Sequence, residues 1–256
     1  MNNKIIKYVI SDLLRNRTIL FYTLVLLALS LSIFLMEDNT DKGIASMLQL
    51  VLFVVPLVCI VFSTIYLYNS TEFIALLVSQ PLKRQRIWLS IFIGLAVAMA
   101  FAFFVGVGIP TFIFAYSLSG VTLVIGGLLL SLIFVSIAMW TAVRIRDKSK
   151  GIGLAIILWL YFALIFDAML LFILFQFADY PIEKMMIAVS MLNPIDISRI
   201  LILLEIDLSA MMGYTGAIFR DFFGTHIGML ITWLVMFLWT ALPLLFATRY
   251  FKKKDL

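Results

Sequence analysis

The chain has 256 residues, of which 64% are hydrophobic and 13% charged, and a formal net charge of +5. A soluble domain is about half apolar and about a quarter charged, so this composition excludes an ordinary water-soluble globule and makes lipid the expected solvent. The positive charge does not indicate nucleic acid, which needs a basic face on a folded domain; a single cysteine, Cys59, lies inside an apolar run and excludes an intrachain disulfide and a thiolate metal cluster.

At the amino end, Ile6, Val9, Ile10, Leu13 and Leu14 recur at three-and-four spacing, with Lys4, Lys7, Asp12 and Arg15 interleaved. Residues 1–18 are expected to form an amphipathic helix lying in the inner interface, the alternative being a simple extension of the first span. Crossing about 30 Å of hydrocarbon takes about 20 helical residues, and six runs qualify. They are Ile19 to Met36, Ala45 to Tyr68, Ile87 to Tyr116, Val121 to Val143, Gly151 to Ala178 and His226 to Tyr250. The first lacks a small-residue cleavage site before Glu37 and reads as a retained helix. The third and fifth exceed the minimum, which predicts tilt or a break, and Gly106, Gly108 and Pro110 can interrupt the third. A single membrane domain over 1–256 is the expected organisation.

The basic residues set the orientation. Lys4, Lys7, Arg15 and Arg17, then Lys83, Arg84 and Arg86, then Arg144, Arg146, Lys148 and Lys150, then Arg249 and Lys252 to Lys254 place 15 of 19 on one side. The alternate connections hold Lys42, Lys184, Arg199 and Arg220 against nine acidic residues. Both termini are therefore expected in the cytoplasm.

Between the second and third spans, residues 69–86 carry a helix signal of their own. Asn69 can cap, Glu72 can return to the free amides, and Pro81 ends the run. Phe73, Leu76 and Leu77 are expected on one face of this short helix, beside Lys83 and Arg84. Such a face suits a partner's groove, or it rests on lipid headgroups.

Asp167 is the only acidic residue inside a span. A mid-membrane carboxylate costs about 2.5–3.5 kcal/mol on insertion scales, so it is expected to face a pathway or to seal a contact between protomers. The connection 179–225 is long and too apolar for a flexible linker. It contains Asn193-Pro-Ile-Asp196 followed by Arg199, in which Asp196 is the candidate helix cap, and a Gly213 and Gly216 pair that allows a tight turn. Half-helices re-entering their own bundle account for all of these features. Met185, Met186, Met191, Met211 and Met212 cluster there, and thioether suits Cu(I). Adjacent methionines on a helix face different ways and serve as gap filler, so no metal site is assigned.

The stretch Glu72-x-x-x-Leu76-Leu77-x-Ser79-Gln80-Pro81-Leu82-x-Arg84, placed between the second and third of six spans, resembles the coupling segment of ABC-2 type permeases. An amino-terminal interfacial helix, six spans and a long outer connection before the last span fit that family along the whole chain. The resemblance implies a bacterial inner-membrane protein in which Glu72, Phe73, Leu76, Leu77, Ser79, Gln80, Pro81 and Arg84 dock onto a separate ATPase subunit. Two permeases and two ATPases would form the transporter, with ATP and Mg bound by the ATPase and no cofactor in this chain.

Asn193-Pro-x-Asp-x-x-Arg199 together with Gly213-Tyr-Thr-Gly-Ala217 resembles, more narrowly, the NosY-type permeases of NosDFY complexes, which serve copper-site maturation of nitrous oxide reductase. That resemblance implies a NosF-like ATPase below the membrane and a NosD-like periplasmic β-helical protein above it. Contacts to the latter would come from Asn193, Pro194, Asp196, Arg199, Gly213, Tyr214, Thr215 and Gly216. The chain itself has no G-x-x-x-x-G-K-[ST] phosphate loop and no H-E-x-x-H, so no enzyme is expected. The alternatives are a generic ABC-2 exporter permease and a secondary transporter using Asp167; a serine hydrolase built on Ser119 and His226 lacks a demonstrated base.

Overall fold

A computed structural model of the chain describes residues 2–37, 39–177, 183–206 and 225–253, which are helical apart from short connections, with no strand among them. Six helical stretches are long and apolar enough to cross a membrane: Arg17–Met36, Thr40–Asn69, Arg84–Phe114, Leu118–Arg144, Lys148–Gln176 and Ile227–Lys253. These are the six apolar runs of the sequence, lengthened by a few residues at the ends that carry charge.

Helix α1, Asn2–Leu14, is separate from α2, Arg17–Met36. Asn16 divides them because its side-chain oxygen accepts the Thr18 amide at 2.8 Å and caps α2. The first span is therefore not extended backwards. On α1 the stripe Ile5, Val9 and Leu13 is buried, and α1 packs chiefly on α5, Arg84–Phe103. Ile6, Ile10 and Leu14, expected on the apolar face, are only partly buried at its margin, and Ile5 takes the place the pattern gave to its neighbours. Gly94 permits this contact, since a Cβ there would collide with the side chain of Val9.

The second span, α3, Thr40–Asn69, contains Pro56 and still runs unbroken. It is followed by the short helix α4, Thr71–Val78. The third span is α5, a π-helical turn Phe104–Gly108, and α6, Ile109–Phe114. Gly106, Gly108 and Pro110 thus widen the helix by a π turn and do not break it. The Ser30 hydroxyl of α2 donates to the Gly106 carbonyl at 2.7 Å. A Cβ on Gly106 would come within 2.6 Å of the Leu26 Cβ, so α2 and this turn are in backbone contact.

The fourth span, α7, Leu118–Arg144, is the centre of the bundle. It packs most extensively on α3 and on the last span, and then on the helix Pro194–Glu205 and on α5. Where lipid is the solvent, hydrophobic burial does not drive helices together, and close packing with buried hydrogen bonds does. Accordingly Ser131, Ser136, Gly126 and Gly127 of α7 are buried, and the Ser136 hydroxyl donates across to the Thr240 carbonyl at 2.7 Å. Cys59 is buried in the same core, as a small packing residue should be.

The fifth span is α8, Lys148–Leu160, a second π turn Tyr161–Ile165, and α9, Phe166–Gln176. Of the connection 179–225, the described parts are α10, Glu183–Ser190, and α11, Pro194–Glu205. Gly213, Tyr214, Thr215 and Gly216 lie outside the described residues, as do Met211 and Met212. The last span is α12, His226–Lys253. Its carboxyl end returns to the start of α5, where Phe251 stacks on Trp88 at 4.4 Å. The ends of α3 and α7 and the starts of α5 and α8 gather at this same, basic end of the bundle: Tyr68 donates to the Ile145 carbonyl at 3.1 Å, and Lys148 to the Asn69 side chain at 2.8 Å.

Candidate functional site

Two places in the fold collect the residues singled out above, one at each end of the bundle. At the end opposite the basic residues, α11 is buried from Asn193 to Ser198 and packs on α7, α3 and α12. Its start is built by Asn193, fully buried, whose side-chain oxygen accepts the Ile195 amide at 3.0 Å, with Pro194 at the first helical position. Asn193 is therefore the cap, and Asp196, expected in that role, sits in the first turn with its carboxylate turned to Arg199. The cap goes to Asn193 because the proline after it cannot donate and has a fixed helical φ, which starts the helix three residues earlier than a cap at Asp196 would.

The other end of the Asn193 side chain reaches the fifth span. Its Nδ2 donates to the Phe162 carbonyl at 2.8 Å, inside the π turn where the Phe166 amide bonds back five residues to Tyr161. One turn further along both helices, Arg199 donates to Asp167 at 2.7 Å and to Asp196 at 2.8 Å. Asn193, Asp196 and Arg199 thus form a single clamp on residues 162–167. The intramembrane carboxylate is therefore not alone.

The cluster holds one guanidinium between two carboxyls. Burial, with the charge of Asp167 beside it and only partly offset by Arg199, pushes the Asp196 carboxyl up to about 8. At neutral pH Asp196 therefore holds a proton more readily than a free carboxyl does. Asp167 Oδ1 and Arg199 Nε are buried without a hydrogen-bond partner among the described residues. α10 covers the neighbouring face: Met186 is fully buried against Phe166 and Leu170, while Met185 is half exposed. The two methionines point apart, as helix geometry requires. No group of three or more His, Cys, Asp or Glu suited to a metal ion occurs among the described residues.

At the basic end, α4 stands on the bundle. Ser70 occupies its cap position without a side-chain bond, and Asn69, expected to cap, is the last residue of α3 and accepts from Lys148 instead. The reason is local: α3 continues to Asn69, and the Thr71 hydroxyl bonds back to the Tyr68 carbonyl at 2.7 Å, which leaves no extended residue at 69. Nor do Phe73, Leu76 and Leu77 form one free face. Leu77 and Ile74 are buried, Phe73 stacks on Tyr8 of α1 at 5.3 Å, and Leu76 is 66% exposed. The outward face is Glu72, Ala75, Leu76 and Ser79, continuing into Gln80 and Pro81, with Arg84 half-buried at the start of α5. Ser79 ends the helix by donating to the Leu76 carbonyl at 2.8 Å.

Sequence reasoning singled out Asp167 and Arg199 separately and missed their pairing. The available signal was that one acid in a span and one arginine in a buried apolar stretch each need an opposite charge. The Phe73–Tyr8 and Asn69–Lys148 contacts had no such signal. His226 has no described side chain, and Ser119 is engaged with Ser117 at 2.9 Å near the start of α7.

Comparison with known proteins agrees with this architecture. The chain is 27% identical to the "Probable ABC transporter permease protein NosY" of Stutzerimonas stutzeri, covering 96% of this chain and 95% of that one. It is 26% identical to the protein of the same name in Pseudomonas aeruginosa, covering 96% of each. The model of the ABC-2 family transporter proteins matches residues 31–256. The chain is a multi-pass membrane protein and belongs to the ABC-2 transporter permease family.

Proposed function

We propose that this chain is the membrane subunit of a NosY-type transporter, which takes movement from a separate ATPase at its basic end and delivers it to a partner on the opposite side. The basic end faces the cytoplasm of a bacterial inner membrane on this reading, which the distribution of lysine and arginine supports. Two copies of the chain meet two NosF-like ATPases, which bind ATP and Mg. A NosD-like periplasmic β-helical protein takes up the stroke, in the service of copper-site maturation of nitrous oxide reductase. The observation that carries the reading is the outward face of α4, where Glu72, Leu76 and Ser79 stand free while Phe73, Ile74 and Leu77 bind the helix to α1 and the bundle.

A displacement of α4 has two routes into the membrane. Phe73 bears on Tyr8, and α1 is packed along α5. Asn69, the residue that joins α3 to α4, holds Lys148 at the start of the fifth span. That span carries a π turn and reaches Asp167, where Arg199 and Asn193 connect it to α11. α11 is thus moved by the fifth span, and with its cap it carries residues Asn193 to Arg199. A π turn inside a helix is a natural place for it to bend.

The test is purification of the tagged chain in mild detergent with mass spectrometry of what accompanies it. An ATPase with a periplasmic β-helical protein supports the NosY-type reading; an ATPase alone supports the generic ABC-2 exporter. Glu72→Lys should remove the ATPase while membrane insertion stays normal, and an intact complex in that variant would overturn the docking assignment.

A further inference from the structure

At the basic end a cavity of about 510 Å³ lies under α4, between α3, α5, α7 and α12. Its walls are mostly apolar, with Leu67, Ile74 and Phe251 among them, and no carboxylate lines it. Two groups in its lining set its chemistry, a buried hydrogen-bond donor and an exposed cation. The first is Trp88, only 3% exposed, whose indole N–H has no hydrogen-bond partner among the described residues. The indoles of Trp159 and Trp239, by contrast, donate to backbone carbonyls at 3.1 and 3.2 Å. A buried donor left without an acceptor is costly, and native structures leave few of them. The second is Arg146, at the mouth. Its neighbour Asp147 is engaged in capping α8 through the Lys150 amide at 2.8 Å.

We propose that this cavity binds an anionic amphiphile, with a phosphate or carboxylate head and a hydrocarbon chain. The head accepts the Trp88 N–H and pairs with Arg146, while the chain lies along Leu67, Ile74 and Phe251. Lipid headgroups at the basic end of the spans supply both chemistries. Because Thr71 and Ile74 of α4 line the same cavity, an occupant braces the outward-facing helix against the last span. The site is independent of what docks on the outer face of α4.

The experiment is native mass spectrometry of the purified full chain in a neutral detergent, titrated separately with phosphatidylglycerol, oleate, phosphatidylcholine and inorganic phosphate. Saturable binding of phosphatidylglycerol or oleate is expected, the stronger of the two naming the source as phospholipid or free fatty acid. Arg146→Gln should weaken it about tenfold, the loss of one charge-assisted hydrogen bond, and Trp88→Phe, which keeps a ring for Phe251, by a similar factor. Arg146 is exposed, so its variant carries the test should Trp88→Phe fail to fold by circular dichroism. Equal retention of phosphatidylcholine, saturation by phosphate without a chain, or unchanged affinity in Arg146→Gln would overturn the proposal.

Discussion

Replacing Arg199 by glutamine isolates the clamp on the fifth span. The arginine and Asp167 side chains are 20% and 28% exposed, so the pair lies between the fully buried and surface cases. Removing one partner of a buried pair costs about 3–5 kcal/mol and of an exposed pair under about 1 kcal/mol, which places Arg199→Gln at about 2–3 kcal/mol. Asp196 limits the loss, because burial already biases its carboxyl toward the protonated form. In a chain of this size about 1 kcal/mol corresponds to about 2–4 °C, so thermal unfolding in detergent should fall by about 5–10 °C. Adding Asp167→Asn removes the orphaned charge and should restore at least half of the drop. A shift under about 2 °C, or a double variant whose loss equals the sum of the two singles, would refute the coupling.

Three further outcomes follow from the same geometry. The Asp196 carboxyl is raised from 3.8 to about 8, so between those values the folded chain holds a proton that the unfolded chain has released. Its contribution is fully present below about pH 4 and is lost as pH rises through about 8, and unfolding temperature measured from pH 5.5 to 8.5 should fall in the native chain and stay flatter in Asp196→Asn. Asn193→Ala removes both a helix cap and the bond to the Phe162 carbonyl, costing about 2–3 kcal/mol; a melting temperature within 2 °C of the native one would argue against the clamp. Gly106→Val forces α2 away from the π turn, because the Leu26 Cβ and the Thr23 carbonyl already lie against it, at a cost of about 1–3 kcal/mol; an unfolding temperature within about 2 °C of the native one would argue against the backbone contact.

The spans and their order were legible because hydropathy over about 20 residues is a strong, local signal and each basic connection agreed with the next. The helix ends were less so, and for physical reasons that Asn69 and Asp196 illustrate. Each is a good capping residue at a plausible place, but a neighbour decides the cap: the preceding helix runs through Asn69, and Pro194 fixes the start of α11 at Asn193. The face of α4 was misjudged at Leu77 because an isolated eight-residue pattern does not say which apolar stripe meets the bundle. Tyr8, which decides the placing of Phe73, lies on a different helix. The pairing of Asp167 with Arg199 crosses 32 positions, and what made it derivable was the cost of leaving either charge alone in an apolar setting.

The two over-long spans show how length and polarity are linked in this fold. Sequence length alone predicts tilt or a break, and neither helix is broken at these places: each span takes up a π turn, at Phe104–Gly108 and at Tyr161–Ile165. A π turn inserts a residue and disturbs the regular pairing of carbonyls, which in lipid must be satisfied by protein. In the third span the Gly106 carbonyl is taken by Ser30, and in the fifth the Phe162 carbonyl is taken by Asn193. Both donors are fully buried side chains from another helix. Each bulge is therefore also a joint between helices, the first tying α2 to the third span and the second tying α11 to the fifth. Bending at either joint changes the fit of the helix that supplies the donor, which gives Ser30 and Asn193 their places beside the bulges and lets Asp167, two residues beyond the second, report a movement of the fifth span to α11.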